Sequence, residues 1–183
     1  MSGILVAGIG NVFFGDDGFG VEVVRRLAER ADGRPHPEPS AEVRVEDFGI
    51  RGIDLCYALL DGVDAAILID ATQRGGPPGT LYLIEPARED DESSASSDPY
   101  ASPVLMSAHQ MDPAQVLQTV RMLGGGCEDI VVLGCEPADF GFEHGEQGRM
   151  GLSNPVAAAV DQAADLVETL IVQTRERLAL RLV

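Results

Sequence analysis

The stretch ILVAGIGNVFFGDDGFG at residues 4–20, with the apolar sequence that follows it to Leu27, decides the fold. It opens with a continuous apolar run typical of a buried strand, and the glycines after that run allow a tight turn. Apolar residues then recur at helical spacing, at Val21, Val24, Ala28 and Ala31, reinforced by Val23 and Leu27. The stretch therefore predicts a buried strand, a glycine-rich turn that carries Asp16 and Asp17, and an amphipathic helix.

The remainder of the chain continues the alternation of strands and helices. The continuous apolar run at residues 65–69 suits a parallel strand covered on both faces, whereas residues 80–84 lie between prolines and suit a sheet edge. Further strands are predicted at residues 43–46 and 130–134, and helices at residues 53–60, after Asp112 and after Ser153. This order of elements predicts an α/β fold with helices on both faces of the sheet.

A length of 183 residues suits one domain with a single sizeable core, so residues 1–183 are interpreted as one domain. The composition changes abruptly at residues 88–103, where acidic residues and serines replace most apolar side chains. Such a segment has little to bury and is expected to be mobile. Strand and helix patterns resume on both sides of it, which predicts an acidic insertion within the domain rather than a domain boundary.

The net charge of −17 argues against a nucleic-acid partner, because the chain would repel a phosphate backbone. It leaves room for a metal ion or a basic peptide as ligand, and it equally serves solubility. The three cysteines form no CxxC pair, which argues against a disulfide framework and favours a reducing cytosol. The sequence shows no signal-peptide pattern and no apolar run of membrane-spanning length. We therefore expect a cytoplasmic protein without a membrane partner.

Acidic residues recur where the predicted strands end, and ligands of such sheets bind beyond the carboxyl ends of the strands. These acidic residues are Asp16, Asp17, Asp47, Asp70 and Glu136. His109 can reach the same edge from the loop before a helix. Crowded carboxylates repel one another unless a cation or a basic ligand joins them. A set of one imidazole and two carboxylates therefore suits a divalent metal such as zinc, nickel or manganese.

Each of these residues also has a simpler interpretation. Asp17 precedes a helix, where a carboxylate can cap free amides and complement the helix dipole. Asp70 can end its strand in an Asx turn, and His109 can be an ordinary loop histidine. Glu136 stands before a proline and is more often a loop residue than a ligand there. The spacing of these residues alone leaves both interpretations open.

Two other kinds of chemistry find little support in the sequence. A dinucleotide-binding fingerprint needs a third glycine where Phe13 stands, and the adjacent acids Asp16 and Asp17 would repel a pyrophosphate. No Gly-x-Ser-x-Gly motif is present, and no cysteine has the clear setting of a nucleophile. The pattern therefore disfavours a nucleotide-binding oxidoreductase and covalent serine or cysteine catalysis.

Several sequence blocks, which together extend over most of the chain, resemble the hydrogenase maturation endopeptidases. These blocks are residues 8–11 (GIGN), 15–20 (GDDGFG), 69–71 (IDA), 78–80 (PGT), 107–110 (SAHQ), 133–137 (LGCEP) and 151–153 (GLS). Their combination is far more specific than any one block. The chain departs from the family pattern in two places. Asp17 stands where some members carry glutamate, and the sequence Asp47-Phe48-Gly49 stands where a Gly-Gly turn is common.

The resemblance implies a three-layer sandwich, in which a central, twisted and mostly parallel sheet of about five strands lies between layers of helices. It implies an endopeptidase that removes the C-terminal extension from the precursor large subunit of a nickel-iron hydrogenase, once nickel is loaded into that subunit. The family positions that contact the metal fall on Asp17, Asp70 and His109, which would also carry catalysis. The nickel would belong to the substrate, and zinc or cadmium can occupy the same site in vitro.

The resemblance leaves an alternative function and the role of one acid open. A non-proteolytic, metal-dependent binding or chaperone module for hydrogenase assembly would fit the same fold. Asp16 is expected to support Asp17 or to cap the helix rather than to contact the metal.

Overall fold

A computed structural model describes residues 3–31, 42–86, 113–127, 129–141 and 148–181 of the chain. The strands are β1 (Gly3–Ile9), β2 (Glu42–Gly49), β3 (Ala65–Ala71), β4 (Leu81–Ile84) and β5 (Asp129–Cys135). The helices are α1 (Phe19–Ala31), α2 (Gly52–Leu60), α3 (Pro113–Met122) and α4 (Asn154–Leu180), and a 3-10 helix at Gly15–Gly18 precedes α1. The predicted site residue His109 and the predicted acidic insertion at residues 88–103 lie outside the described residues.

The described strands form one sheet in the order β2-β1-β3-β5-β4. Every neighbouring pair is parallel except β4 and β5, which are antiparallel. The short strand β4 lies at the sheet edge, where the prolines that flank it do not interrupt a central hydrogen-bond ladder. The mostly parallel sheet expected from the sequence is therefore confirmed.

Helices cover both faces of this sheet. Helices α1 and α4 pack together on one face, over a core that includes Ile67, and α2 and α3 pack on the other face, over a core that includes Leu68. Successive residues of a strand point to opposite faces, so a continuous apolar run such as that of β3 supplies both cores. The three-layer α/β sandwich is thus confirmed.

The third strand is longer than the sequence pattern predicts. It continues through Ala71, so Asp70 lies within β3 rather than after it. The extension follows from pairing, because Asp70 is opposite Gly134 and Ala71 is opposite Cys135 in the ladder with β5. The sequence predicts that this strand ends in Asp70, and the structure extends it by one residue.

The apolar stripe of α1 is also narrower than predicted. Its buried hydrophobic residues are Phe19, Val21, Val23, Val24 and Leu27, whereas Ala28 and Ala31 are exposed. Ala28 lies at the margin of this stripe, and Ala31 is the last residue of the helix, beyond the side chains that pack on the sheet.

Helix α1 begins in direct contact with the ends of two strands. A β-carbon at position 20 would overlap the backbone carbonyl oxygens of Ile9 in β1 and Ile69 in β3. Only glycine allows this approach, because its residue carries no side-chain atom between the two backbones. The contact places the turn between β1 and α1, with its two aspartates, directly at the carboxyl ends of β1 and β3.

The cysteines and the helices agree with the bulk properties of the sequence. All three cysteines are buried and free, as expected for a chain without a disulfide framework. None of the helices in the described part of the chain has the length and apolar character needed to cross a bilayer.

Replacement of Gly20 by alanine tests the contact between α1 and the strand ends. Glycine to alanine in a helix ordinarily increases stability by about 1 kcal/mol. Here the added methyl group overlaps the backbones of β1 and β3, so we expect Gly20→Ala to reduce the free energy of unfolding by about 1–3 kcal/mol in urea denaturation. The exposed position Ala158 supplies the control, since Ala158→Gly should show only the ordinary propensity effect. A Gly20→Ala variant as stable as the parent would contradict this packing.

Candidate active site

The structure places Asp17 and Asp70 near the carboxyl ends of two neighbouring strands. Asp17 lies in the 3-10 helix after β1, and Asp70 is the penultimate residue of β3, the strand that pairs with β1. The 3-10 helix packs against β3. From β1 the chain continues to β2 on one side of the sheet, and from β3 it continues to β4 on the other side. The position between β1 and β3 is therefore the topological switch point, where sheets of this kind bind ligands.

The Asp17 carboxylate is half-buried and only partly used by the protein. Its Oδ2 atom accepts a hydrogen bond from the backbone N–H of Asn11 at 2.8 Å, and its Oδ1 atom accepts none from the described residues. The carboxylate therefore points back to the loop rather than capping the first turn of α1, which disfavours the helix-cap interpretation. Burial raises the pKa of Asp17, and the Asn11 hydrogen bond only partly offsets this effect.

Asp16 has the opposite environment, although it is the adjacent residue. Its side chain is fully buried, with 0% exposure. Oδ2 accepts hydrogen bonds from the backbone N–H groups of Ala138 and Asp139 at 2.7 and 3.0 Å and from the Ser153 hydroxyl at 2.9 Å. Oδ1 accepts the Ser153 N–H at 2.6 Å. Asp16 therefore joins three loops at the sheet edge and is not available to a metal.

The sequence predicts that Asp16 supports Asp17 or caps α1. Its carboxylate holds the turn that carries Asp17 through bonds to other loops, and it does not cap the first turn of α1. Ser153 was predicted to cap α4, yet its hydroxyl donates to Asp16 and makes no cap hydrogen bond. Sequence spacing contains no signal for this contact, because the two residues lie 137 positions apart.

Glu136 is a structural anion rather than a candidate ligand. Its carboxylate is buried and accepts hydrogen bonds from the N–H groups of Arg74 and Gly75, both at 2.9 Å, and from the Tyr82 hydroxyl at 2.8 Å. Burial alone would raise the pKa of Glu136, but these hydrogen bonds and that of Gly76 outweigh it and lower the pKa. The ionised carboxylate thereby holds the glycine-rich loop that follows Asp70.

Cys135, at the end of β5, lies near the two buried acids without the properties of a nucleophile. Burial, together with the negative charges of Asp16 and Glu136, raises the pKa of its thiol to about 12. The thiolate is the nucleophilic form of cysteine, and it is scarcely populated at neutral pH with such a pKa. The prediction that no cysteine acts as nucleophile is consistent with this environment.

The described residues supply only part of the predicted set of two carboxylates and one imidazole. Asp70 is buried, with 9% exposure, near the carboxyl end of β3. No group of three or more histidine, cysteine or acidic side chains within the described ranges is arranged to hold a metal ion. His109, the third predicted member, is outside these ranges, and its role stays a prediction.

The fold and the crevice define a class of protein: a doubly wound α/β protein with an acidic site at its switch point. The model of one family, described as hydrogenase maturation protease, matches residues 21–170. The chain is 32% identical over 160 residues to the hydrogenase expression/formation protein HupD of Rhodobacter capsulatus, covering 87% of this chain and 69% of that protein. It is 30% identical over 164 residues to HoxM of Cupriavidus necator, covering 90% and 73%.

A solved structure agrees with these relatives. The hydrogenase maturating endopeptidase HybD of E. coli superimposes with a TM-score of 0.66 at 25% identity, covering 95% of this chain and 94% of that one. The chain therefore belongs to the hydrogenase maturation protease family, and it is a peptidase.

The contrast between Asp16 and Asp17 predicts opposite effects of the same substitution on stability. Asp16→Asn turns an amide N–H₂ group toward buried donors, so we expect the free energy of unfolding to fall by about 2–4 kcal/mol. Asp17→Asn removes a charge that burial disfavours. Because folding raises the pKa of Asp17, the ionised carboxylate destabilises the folded parent at pH values above this raised pKa. The effect is absent at pH values below the ordinary pKa of an aspartate.

We therefore expect the melting temperature of Asp17→Asn at pH 7 to equal or exceed that of the parent, and the difference to vanish in acid. Thermal melts followed by circular dichroism across pH 3–8 would check both variants. A large loss of stability in Asp17→Asn, comparable with that of Asp16→Asn, would contradict the assigned roles.

The environment of Cys135 predicts that its thiol is dispensable for peptidase activity. We expect Cys135→Ala to retain the parent's cleavage rate within a factor of about three, since the substitution removes one small buried group and no reacting atom. Thiol reagents should leave the folded protein unmodified. Loss of cleavage in Cys135→Ala with an unchanged melting temperature would contradict this interpretation.

Proposed function

We propose that this peptidase removes the C-terminal extension from the precursor large subunit of a nickel-iron hydrogenase, and that Asp17, Asp70 and His109 contact the nickel already loaded into that subunit. Family membership supports the class of reaction and of substrate. The observation that carries the metal-reading role is the Oδ1 atom of Asp17, which accepts no hydrogen bond from the described residues and lies at the switch point beside β3.

The environment of Asp17 suits a carboxylate that binds a cation. A half-buried carboxylate that accepts one hydrogen bond from the described residues is costly in the ionised form, and burial accordingly raises the pKa of Asp17. A divalent ion bound at Oδ1 would offset the cost of ionising Asp17. Asp16 and Glu136 lack this property, because donors from the protein already surround their oxygens.

The positions of Asp70 and of the start of α3 support the proposal that Asp70 and His109 are the other two ligands. Asp70 lies two residues after Leu68, so its side chain points to the face that α2 and α3 cover. Cys56 of α2 contacts Val116 of α3, and the start of α2 follows the carboxyl end of β2. The start of α3 is therefore at the same edge of the sheet. His109 precedes the start of α3 by four residues, and four residues of extended chain span about 13 Å.

The chemistry follows from this arrangement. The substrate's metal would orient the tail and polarise an attacking water or the scissile carbonyl. The protein's contribution is to bring carboxylates to the metal at a fixed place, with Asp16 holding the turn that carries Asp17. The buried thiol of Cys135 takes no part in this scheme.

The requirement for nickel is tested by incubating the protein with nickel-loaded and nickel-free precursor large subunit and following the intact mass of that subunit. We expect loss of the tail from the loaded precursor only. Trimming of the nickel-free precursor at the same rate would overturn the metal-reading role. Binding of the loaded precursor without any loss of mass would instead favour a non-proteolytic assembly module.

The three proposed ligands are tested by Asp17→Asn, Asp70→Asn and His109→Ala. Because even groups that only orient a metal ligand are typically worth 10–100-fold, we expect each variant to lose at least about 100-fold in the rate of tail removal. Asp61→Asn is the matched control, since Asp61 is exposed in the turn after α2 and should tolerate loss of its charge. Full activity in Asp17→Asn and His109→Ala would overturn the proposed site.

A further inference from the structure

The loop that follows Asp70 carries an arginine across the edge of the sheet. In the ladders of β5, Asp70 is opposite Gly134, and Gly134 is opposite Tyr82 of β4. Neighbouring strands are spaced about 4.8 Å, so the backbones of Asp70 and Tyr82 lie about 10 Å apart in one row. The guanidinium of Arg74 lies over the Tyr82 ring, 5.6 Å from its centroid. Arg74 therefore stands beside the proposed crevice.

The protein holds this loop in place at several points. The Thr72 N–H donates to the carbonyl oxygen of Cys135 at 2.8 Å. The Glu136 carboxylate accepts the N–H groups of Arg74 and Gly75, and it also fixes the Tyr82 hydroxyl on which the arginine stacks. Backbone and side chain of Arg74 are thus both positioned, and no described residue bonds to the N–H groups of the guanidinium.

Arg74 makes no ion pair with any residue that the structure describes. Its side chain is exposed, and no carboxylate among the described residues lies within the 4.0 Å that defines an ion pair with it. By contrast, Arg177 makes a bidentate pair with Asp129 at 2.9 Å, and Arg30 pairs with Asp165 at 2.8 Å. The chain has a net charge of −17 and many carboxylates that could pair with an arginine. A guanidinium that is held in place without an ion pair among the described residues therefore indicates an anion from outside the protein as its ligand.

We propose that Arg74 binds a carboxylate on the tail of the precursor, and that it thereby sets substrate affinity; this inference rests on the proposed function. The guanidinium presents parallel N–H donors that match a carboxylate, while the Tyr82 ring occupies one of its faces. The tail is the part of the substrate that is free to follow the sheet edge. About three residues of extended peptide span the 10 Å between the backbones of Asp70 and Tyr82, and Arg74 lies over the Tyr82 ring.

The carboxylate has two sources within a tail: an acidic side chain or the terminal carboxylate. Both present the same group to the guanidinium. The interaction is exposed to solvent, so we expect a moderate effect on affinity and none on the chemical step. It should also weaken as salt increases, because solvent-exposed charges are screened.

The test compares the parent, Arg74→Ala and Arg74→Lys on nickel-loaded precursor. We expect Arg74→Ala to raise KM by about 3- to 10-fold at low salt with kcat unchanged, and Arg74→Lys to retain part of the affinity. Arg44→Ala is the matched control, because Arg44 is an exposed arginine on the opposite edge strand β2 and should leave KM unchanged.

Changes to the substrate identify the carboxylate. One precursor carries amides in place of the acidic side chains of its tail, and a second carries a C-terminal carboxamide. We expect the KM difference between the parent and Arg74→Ala to disappear on the precursor that lacks the bound carboxylate. If the difference persists on a tail without any carboxylate, Arg74 does not bind the tail, and the inference is overturned.

The outcomes separate this inference from the function on which it rests. An Arg74→Ala variant with the parent's KM, measured beside an inactive Asp17→Asn variant, would overturn the role of Arg74 and leave the proposed function standing. Absence of nickel-dependent tail removal by the parent would overturn the proposed function, and the role of Arg74 with it.

Discussion

The buried carboxylate of Asp16 is the interaction on which the carboxyl edge of this protein depends. It accepts hydrogen bonds from the loop after β5 and from the residue before α4, while its own backbone belongs to the turn after β1. Segments more than 120 residues apart in sequence thereby meet around one side chain. A buried charge is tolerated only when hydrogen bonds replace its hydration, and here two backbone loops and a hydroxyl do so.

Glu136, directly after β5, repeats this arrangement two strands further along the sheet. It organises the glycine-rich loop after β3 through backbone N–H groups and orients Tyr82 on the edge strand. The two buried acids thus fix the two loops that border the crevice. Asp17 and Arg74, the residues proposed to bind ligands, are carried by these loops, and the described residues leave part of their hydrogen-bonding capacity unused. The charged residues that hold the loops therefore differ from those proposed to bind ligands.

Much of the fold and part of the site could be predicted from sequence. The apolar run of β3 and the prolines around β4 identified a central and an edge strand, because burial and proline chemistry leave local signatures. Asp17 was singled out because its neighbours form a recognisable glycine-rich turn. The roles of Asp16, Glu136 and Arg74 could not be predicted in this way. Each depends on a partner that is remote in sequence and carries no periodic signal.

The sequence by itself determined the layer architecture, the absence of a dinucleotide fingerprint at Phe13 and the family to which the chain belongs, since these depend on local patterns and short motifs. Only the tertiary structure decided which of two adjacent aspartates is structural. Asp16 and Asp17 are indistinguishable as residue types, and both follow the same strand. The 3-10 helix turns one side chain into a cluster of buried donors, whereas the other accepts one hydrogen bond from the described residues, beside β3. That difference arises from the direction of the backbone in three dimensions, which no pattern of residue types records.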